Sequence, residues 1–576
     1  MNPVENVGLI DGYVDEPTVL GVPPYMSIYP RYVAGSIWTK SPKTQIHYQT
    51  IDQIRKSFEN AQRHWSKMDL LILIAGMIVP GKYIGGTPIS IRETKTLFSS
   101  PLLEDIPKIL VGPWASFGCG IQGGKMALSS EVLAPPFDYI VKGDAEIVLV
   151  QVFDPSIGLE SANLEATRES ASEIEPYTTK GAQIVTQYPG FSNKHIICEI
   201  ETYRGCPRFI TGGCSFCVEP SYGIPQQRTV NDIVKEIESL YELGVRAFRL
   251  GHQADLFTYG SQEIGEYEFP NPNVDAIDEL FSKIRKVAPD LDVLHIDNVN
   301  PGTIARHPEE SKKVAKAIMK YHTPGDVAAF GVESTDPEVI RRNNLKGEVD
   351  EMIEAVRILN EVGGKRESRG LPHLLPGINL LYGLPGESKK TLEHNMNFLA
   401  QILDEGLILR RINVRQVIGL QGTNLEPTSG KGIKRNHFFK HRQEIRDRID
   451  VEMIKRVAPP GTILQSVFLD AEQGNNYLLR QLGTYPLLCH MVKDTSGLVP
   501  KDVFVVDHGP RSLTVLPYPF RPQQASLSQW KSIPGIGSKR ATRIRAAGNL
   551  HSVGDISTAL DMEIPEWLHQ SLSFED

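Results

Sequence analysis

Short apolar runs closed by glycine, proline or aspartate alternate along most of the chain with longer stretches of helical periodicity. Three such runs stand near the start: MDLLILIAG (68–76), IPKILVGPWAS (106–116) and FDYIVKGDAE (137–146). Their spacing leaves room for helices between them, which predicts a parallel, Rossmann-like α/β domain over 1–154. The polar stretch SIGLESANLEATRESASEIEP (156–176) then predicts a linker over 155–190.

From 191 to 426 the strand–helix rhythm repeats. Candidate strands are HIICEIETYRG (195–205), VRAFRLG (245–251), LDVLHID (291–297), VAAFGVES (327–334), GINLLYGLP (377–385) and RRINVRQVI (410–418). VNDIVKEIESLYELG (230–244) and VDEMIEAVRILNEVG (349–363) place apolar residues at i, i+3, i+4 and i+7, as one helix face does. Six such units predict a partial (β/α)6 barrel whose chemistry sits at the carboxyl ends of the strands. Segment 427–520 opens with a helix from Lys431 to about Val457 that carries the basic run KGIKRNHFFKHRQEIRDR (431–448), and continues as a small β domain from about Thr462 to Tyr518. The remainder, 521–576, is short and helical.

Composition narrows the class. Apolar residues at 40% and charged residues at 23% describe a folded chain. Its 576 residues suit about four domains at roughly 150 residues each. A formal charge of −8 means that any nucleic-acid contact has to come from local basic patches. The first residues lack the basic and apolar regions of a signal peptide. The longest apolar run, Leu70 to Val79, is far shorter than the roughly 20 residues a membrane-spanning helix needs. These features predict a cytoplasmic, reduced protein without membrane contact, in which clustered cysteines are metal ligands rather than bridges.

The strongest chemical signal follows the first barrel strand, in RGCPRFITGGCSFCVEP (204–220). Cys206, Cys214 and Cys217 form C-x7-C-x2-C on a glycine-rich loop. Structural zinc takes four protein ligands, and no histidine or fourth cysteine stands at ligand spacing. A [4Fe–4S] cube bound by three thiolates keeps one iron open, as a catalytic centre does. Cys119, Cys198 and Cys489 are scattered and read as buried apolar residues.

On these residues the chain resembles the radical S-adenosylmethionine (SAM) superfamily across about 190–426. The usual C-x3-C-x2-C is lengthened by four residues here, while Phe216 keeps the aromatic place before the last cysteine. The resemblance implies that Cys206, Cys214 and Cys217 hold a [4Fe–4S] cluster whose open iron chelates SAM. Phe216 would then pack near the adenine. It further implies SAM contacts from Gly251, Gln253 and Asp255 in GHQADLFTYG (251–260), from Glu333 and Ser334 in GVES (331–334), and from Gly383 in GINLLYGLPGES (377–388). An electron donor reduces such clusters, SAM is cleaved to a 5′-deoxyadenosyl radical, and no side chain is required as a general base.

The layout is also similar to tRNA methylthiotransferases, with a small TRAM-like β domain after the barrel. Those enzymes carry three N-terminal cysteines, whereas 1–190 holds only Cys119, so no second cluster is expected. The N-terminal segment resembles the cobalamin-binding type, with VKGDAE (141–146) as its ending. It lacks D-x-H-x-x-G, so the fold is expected without that cofactor. WKSIPGIGSKRATRIRAAG (530–548) resembles a helix-hairpin-helix motif, which implies phosphate contacts at Gly535, Gly537, Lys539, Arg540 and Arg543. The leading expectation is a radical SAM enzyme acting on RNA or another nucleic acid. The alternatives are a protein or small-molecule substrate, and a nucleic-acid-binding protein with a structural metal.

Overall fold

A computed structural model describes residues 4–15, 20–77, 86–425, 433–493, 499–548 and 550–574. The predicted run to Val79 and the start of the basic helix at Lys431 fall partly outside these residues. Strand β1 (Asn6–Asp15) leads through helix α1 (Ile28–Lys40) to β2 (Gln45–Thr50), β3 (Leu70–Met77), β4 (Lys108–Val111) and β5 (Tyr139–Ile140). They form a parallel sheet in the order β2-β1-β3-β4-β5. The chain reverses its direction of travel across the sheet between β1 and β3, where sheets of this kind open a crevice at their carboxyl ends.

The stretch predicted as a linker is ordered. It holds α2 (Glu175–Gly181) between 3-10 turns, and it buries Ile174, Ile184 and Val185 completely. Helices α1 and α2 cross with their backbones touching. A Cβ on Gly35 would strike the Tyr177 carbonyl, and one on Gly181 the Arg31 carbonyl. The buried residues are spaced among many polar ones, which is why the segment looks like a connector in the sequence.

The barrel strands are β6 (Ile197–Glu201), β7 (Ala247–Gly251), β8 (Val293–Ile296), β9 (Asp326–Glu333), β10 (Leu374–Tyr382) and β11 (Arg411–Gln416). Helices α3 (Val230–Glu242) and α4 (Val349–Gly363) pack outside, each burying its periodic apolar face. Strand β8 continues past Asp297 into Asn298–Val299, which pairs with β9, so all six strands follow in parallel sequence. Both lateral edges receive a strand from the N-terminal domain. Tyr25–Met26 pairs with β6, and Lys125–Met126 pairs with Ile418–Gly419 just beyond β11.

Helix α5 (Arg435–Ile445) passes through a π-helical turn (Arg446–Asp450) into α6 (Val451–Val457). Strands β12 (Ile463–Leu464), β13 (Val467–Gln473), β14 (Asn476–Gln481), β15 (Leu488–Val492), β16 (Val503–His508) and β17 (Ser512–Pro517) form one sheet in the order β12-β16-β17-β15-β14-β13. Helices α7 (Leu527–Lys531), α8 (Ser538–Ala546), α9 (Val553–Leu560) and α10 (Glu566–His569) follow. The alternation along β16 joins these parts. Val503 and Val505 face Leu375 and Val457, whereas Phe504 and Val506 pack with Trp530, Ile536 and Ile544. No helix among the described residues is long and apolar enough to cross a membrane.

A histidine cluster sits where β8, β9 and β10 begin. His322 Nδ1 lies 3.0 Å from Asp326 Oδ2, its Nε2 lies 3.3 Å from His373 Nδ1, and the Thr484 amide donates to His295 Nδ1 at 3.0 Å. Burial holds His322 down at about 3 and His295 at about 4, and it raises Asp326 to about 6. An unfolded chain therefore takes up protons on both imidazoles below about pH 6.5 that the fold refuses, while Asp326 returns part of the difference below about pH 6. The depressed imidazoles win. Stability is expected to fall from pH 6.5 toward 4, on the order of 1.4 kcal/mol per pH unit for each net proton. Urea midpoints at pH 7 and pH 5 check this: the drop should shrink in His322→Gln, and an equal drop contradicts the assignment.

Candidate cluster and cofactor site

The cysteine loop opens directly beyond β6. Gly205 adopts φ +99°, and its amide donates to Glu219 Oε2 at 2.9 Å; Gly213 adopts φ +63°, and a Cβ there would strike the Pro220 ring. These left-handed turns, which side chains resist, fold the loop back on itself. Cys206 and Cys214 are buried and Cys217 is partly so, and all three are free thiols. Burial pushes the Cys206 thiol up to about 12 and Cys217 well above its ordinary value. Cys206 also feels the charge of Cys214, and Cys217 feels that of both others, so the three thiols of the loop are electrostatically linked.

Arg208 anchors this loop. Its Nη1 donates to Cys214 Sγ at 3.2 Å and its Nε to Glu268 Oε1 at 2.7 Å; Nη2 reaches the Leu345 carbonyl at 3.3 Å. Ser215 Oγ donates to Asn343 Oδ1 at 2.8 Å, and Asn344 Nδ2 to the Gly213 carbonyl at 2.9 Å. Residues 343–345 thus hold the cysteine loop from across the barrel mouth. Arg208 lies inside the cysteine motif without being one of its marked positions, and residues 343–345 belong to no motif visible in the sequence. Phe216 packs with Leu345, Leu384 and Val417, an apolar bowl beside the thiols.

The other predicted residues stand around the same mouth. Glu333 ends β9 at φ +64°, and burial raises its carboxyl to about 7 against the opposing pull of Lys346 and Arg415. A Cβ on Gly331 would strike both Lys346 Nζ and the Glu333 carboxylate, so glycine there is what lets the two side chains lie over the strand. Lys346 also acts on Cys206 and Asp255, which makes it a central cation of the site that no motif announces. Gly383, at φ +93°, donates its amide to Glu387 Oε1 at 2.7 Å and lies against Gly124 of the N-terminal domain.

Gly251 leaves room for the Glu199 carboxylate, Ser334 Oγ accepts from the Asp336 amide at 3.2 Å, and Gln253 donates to the Leu250 carbonyl at 3.1 Å. Asp255 accepts from Thr303 Oγ1 at 2.7 Å, and burial raises it to about 6. Gln253 and Asp255 therefore shape the loop through internal bonds. The VKGDAE turn also reaches the mouth: Asp144 pairs with Arg204 at 2.6 Å, and Arg204 covers the Tyr222 ring at 4.6 Å.

Among the described residues no His, Cys, Asp and Glu side chains converge tightly enough to hold a single metal ion. The ligands of a four-iron cube bind separate irons and stand farther apart than donors around one ion. Three free thiols on one loop, with Arg208 and Lys346 as counter-charges, fit such a cube.

A parallel six-strand barrel with three thiols beyond its first strand defines an enzyme class that joins an iron–sulfur centre to SAM. Residues 200–399 match the radical SAM superfamily. An uncharacterised protein of Methanocaldococcus jannaschii is 45% identical over 88% of this chain and 92% of its own length. The tRNA-2-methylthio-N(6)-dimethylallyladenosine synthase of Bdellovibrio bacteriovorus is 24% identical over 36% of this chain and 40% of its own. The solved cobalamin-dependent SAM radical enzyme OxsB is 12% identical, with a TM-score of 0.48, over 77% of this chain and 56% of its own. The chain belongs to the radical SAM superfamily. Its enzymes use a [4Fe–4S] cluster and SAM, cleave SAM and draw on an electron donor.

Proposed function

We propose that this radical SAM enzyme modifies RNA. In this reading Cys206, Cys214 and Cys217 hold the cluster, and Phe216 and Gly383 lie against the adenine of SAM. Glu333, Ser334, Gly251, Gln253 and Asp255 shape the pocket for its ribose and methionine. When bound, the cluster and SAM supply reductive cleavage to methionine and a 5′-deoxyadenosyl radical, which takes a hydrogen atom from the substrate. The chain's own part is to orient SAM, exclude water and present the RNA.

The observation that carries the RNA reading is the C-terminal hairpin. Gly535 turns at φ +84° and buried Ile536 plugs the core, while exposed Gly537 opens α8. Lys539, Arg543 and Arg545 stand exposed along that helix. Backbone amides and cations are thereby presented together, as a phosphate requires. Arg540 instead locks the hairpin, donating to the Gly535 carbonyl at 2.8 Å and the Leu560 carbonyl at 3.0 Å. Helix α5 adds half-exposed Phe439, with Arg442 over its ring at 4.8 Å, a pair suited to an unpaired base. The Bdellovibrio enzyme, named for a tRNA nucleoside, supports this reading over the 36% of this chain that it matches.

Removal of the hairpin would strip the core it shares with β16, so charge reversal is the sounder test. Lys539→Glu with Arg543→Glu is expected to weaken binding of an unmodified tRNA transcript at least tenfold. It should also flatten the log–log salt slope by roughly 1.5, two contacts at about 0.7–0.9 each. The reconstituted, reduced enzyme with SAM should release 5′-deoxyadenosine faster with that RNA, and the RNA should gain a nucleoside of new mass. RNA-independent release together with unchanged binding would overturn the reading.

A further inference from the structure

A cavity of about 340 Å³ opens where the N-terminal sheet, the segment before β6 and the C-terminal β domain meet. It lies at the carboxyl ends of β1 and β2, the end of the sheet at which α/β domains receive ligands. Its volume is that of a small-molecule site. None of the residues assigned above to the cluster or to SAM lines it.

The wall supplied by β1 is strained. Tyr13 adopts φ +66°, a left-handed conformation that bulky residues avoid, where the pairing of β1 with β3 slips between Asp11 and Val14. Two bonds hold it there: its amide donates to Asp11 Oδ1 at 2.9 Å, and its hydroxyl to Asp52 Oδ2 at 3.1 Å. Tyr188, a second lining residue, keeps a buried hydroxyl with no hydrogen-bond partner among the described residues. The β domain supplies Phe468, whose half-buried ring lies on His195 with centroids 4.1 Å apart and planes at 34°. Beside it Arg480 Nε donates to Asp470 Oδ2 at 3.0 Å.

Aromatic rings from two domains, with a carboxylate, a guanidinium and the amides of Gln53 and Gln481 among them, suit one ligand chemistry. That ligand is a flat nitrogen heterocycle, stacked on its faces and hydrogen-bonded on its edges. We propose that this cavity binds a single nucleobase, separately from the barrel mouth. His195 precedes β6 and the cysteine loop follows it, so the five residues of β6, at about 3.3 Å each, stand between the bound base and the radical centre. The base is an anchor or a regulator, not the group attacked. It comes from a free nucleotide or from an unpaired position in RNA, and exposed Lys56 at the cavity wall suits the phosphate of either.

The test uses the reconstituted holoenzyme with its barrel saturated by SAM, titrated calorimetrically with AMP, GMP, CMP and UMP. Ribose 5-phosphate and a single-stranded tetranucleotide of mixed sequence are titrated in parallel. At least one mononucleotide or the tetranucleotide should bind, ribose 5-phosphate should not, and Phe468→Ala should weaken binding at least tenfold while Phe468→Tyr retains it. Tighter binding of the tetranucleotide marks RNA as the source; binding of mononucleotides alone marks a free nucleotide. The proposal is overturned if no nucleotide binds at millimolar concentration, if ribose 5-phosphate binds as well as the nucleotides do, or if Phe468→Ala leaves binding unchanged. A cavity unrelated to RNA would leave the tRNA affinity set by the C-terminal hairpin intact, so the two proposals fail independently.

Discussion

Cys214→Ala is expected to give a folded protein that assembles no intact [4Fe–4S] cluster and releases no detectable 5′-deoxyadenosine. The side chain lost is small, and the loop around it keeps its bonds through Ser215, Asn343 and Asn344. The functional loss is complete because two thiolates leave two irons of the cube without protein ligands. Arg208, which donates to Cys214 Sγ at 3.2 Å, would then face a void with its charge still buried. Iron and sulfide content, visible charge-transfer absorbance and 5′-deoxyadenosine yield measure the outcome. Cys119→Ala, in the separate core of the N-terminal sheet, should change none of them. Full iron content and normal turnover in Cys214→Ala would refute the ligand assignment.

Arg228→Leu carries the largest expected cost in stability, about 3–5 kcal/mol. Arg228 is buried between two carboxylates of α3, with Nε 2.7 Å from Asp232 Oδ2 and Nη1 2.6 Å from Glu236 Oε2. Arg31 of α1 shares Glu236 at 3.0 Å, so the network binds the N-terminal domain to the barrel. Leucine keeps the volume but leaves buried negative charge without its partner, and the penalty comes from that charge rather than from a lost bond. Denaturant midpoints should show the loss, and Arg228→Leu with Asp232→Leu should recover part of it. A change below about 1 kcal/mol would show that the network is idle.

The barrel was legible because each of the six candidate runs carries a strand, five of them buried along most of their length; β11, RINVRQ, is mostly half-exposed and was marked by its place in the rhythm. The thiol loop was legible because its three cysteines stand within twelve residues. Strand β1 was not: its two glycines and two aspartates break the apolar run of NVGLIDGYVD. β2, QIHYQT, alternates too briefly to stand out. Lys346 and Arg208 escaped notice for another reason. Their place is set by loops more than 100 residues apart meeting at the mouth, a relation that local spacing does not encode. The boundary drawn near 520 hid a common core, because neighbouring residues of β16 serve opposite faces.

Both lateral margins of the barrel are finished by segments that the ribosome makes before it makes the barrel. Tyr25–Met26 and Lys125–Met126 emerge ahead of the strands they will join. A nascent barrel therefore meets its own edge partners already synthesised, and its open backbone groups are satisfied within the same molecule rather than by a neighbour. A fragment beginning at the barrel would lack that protection and be prone to self-association.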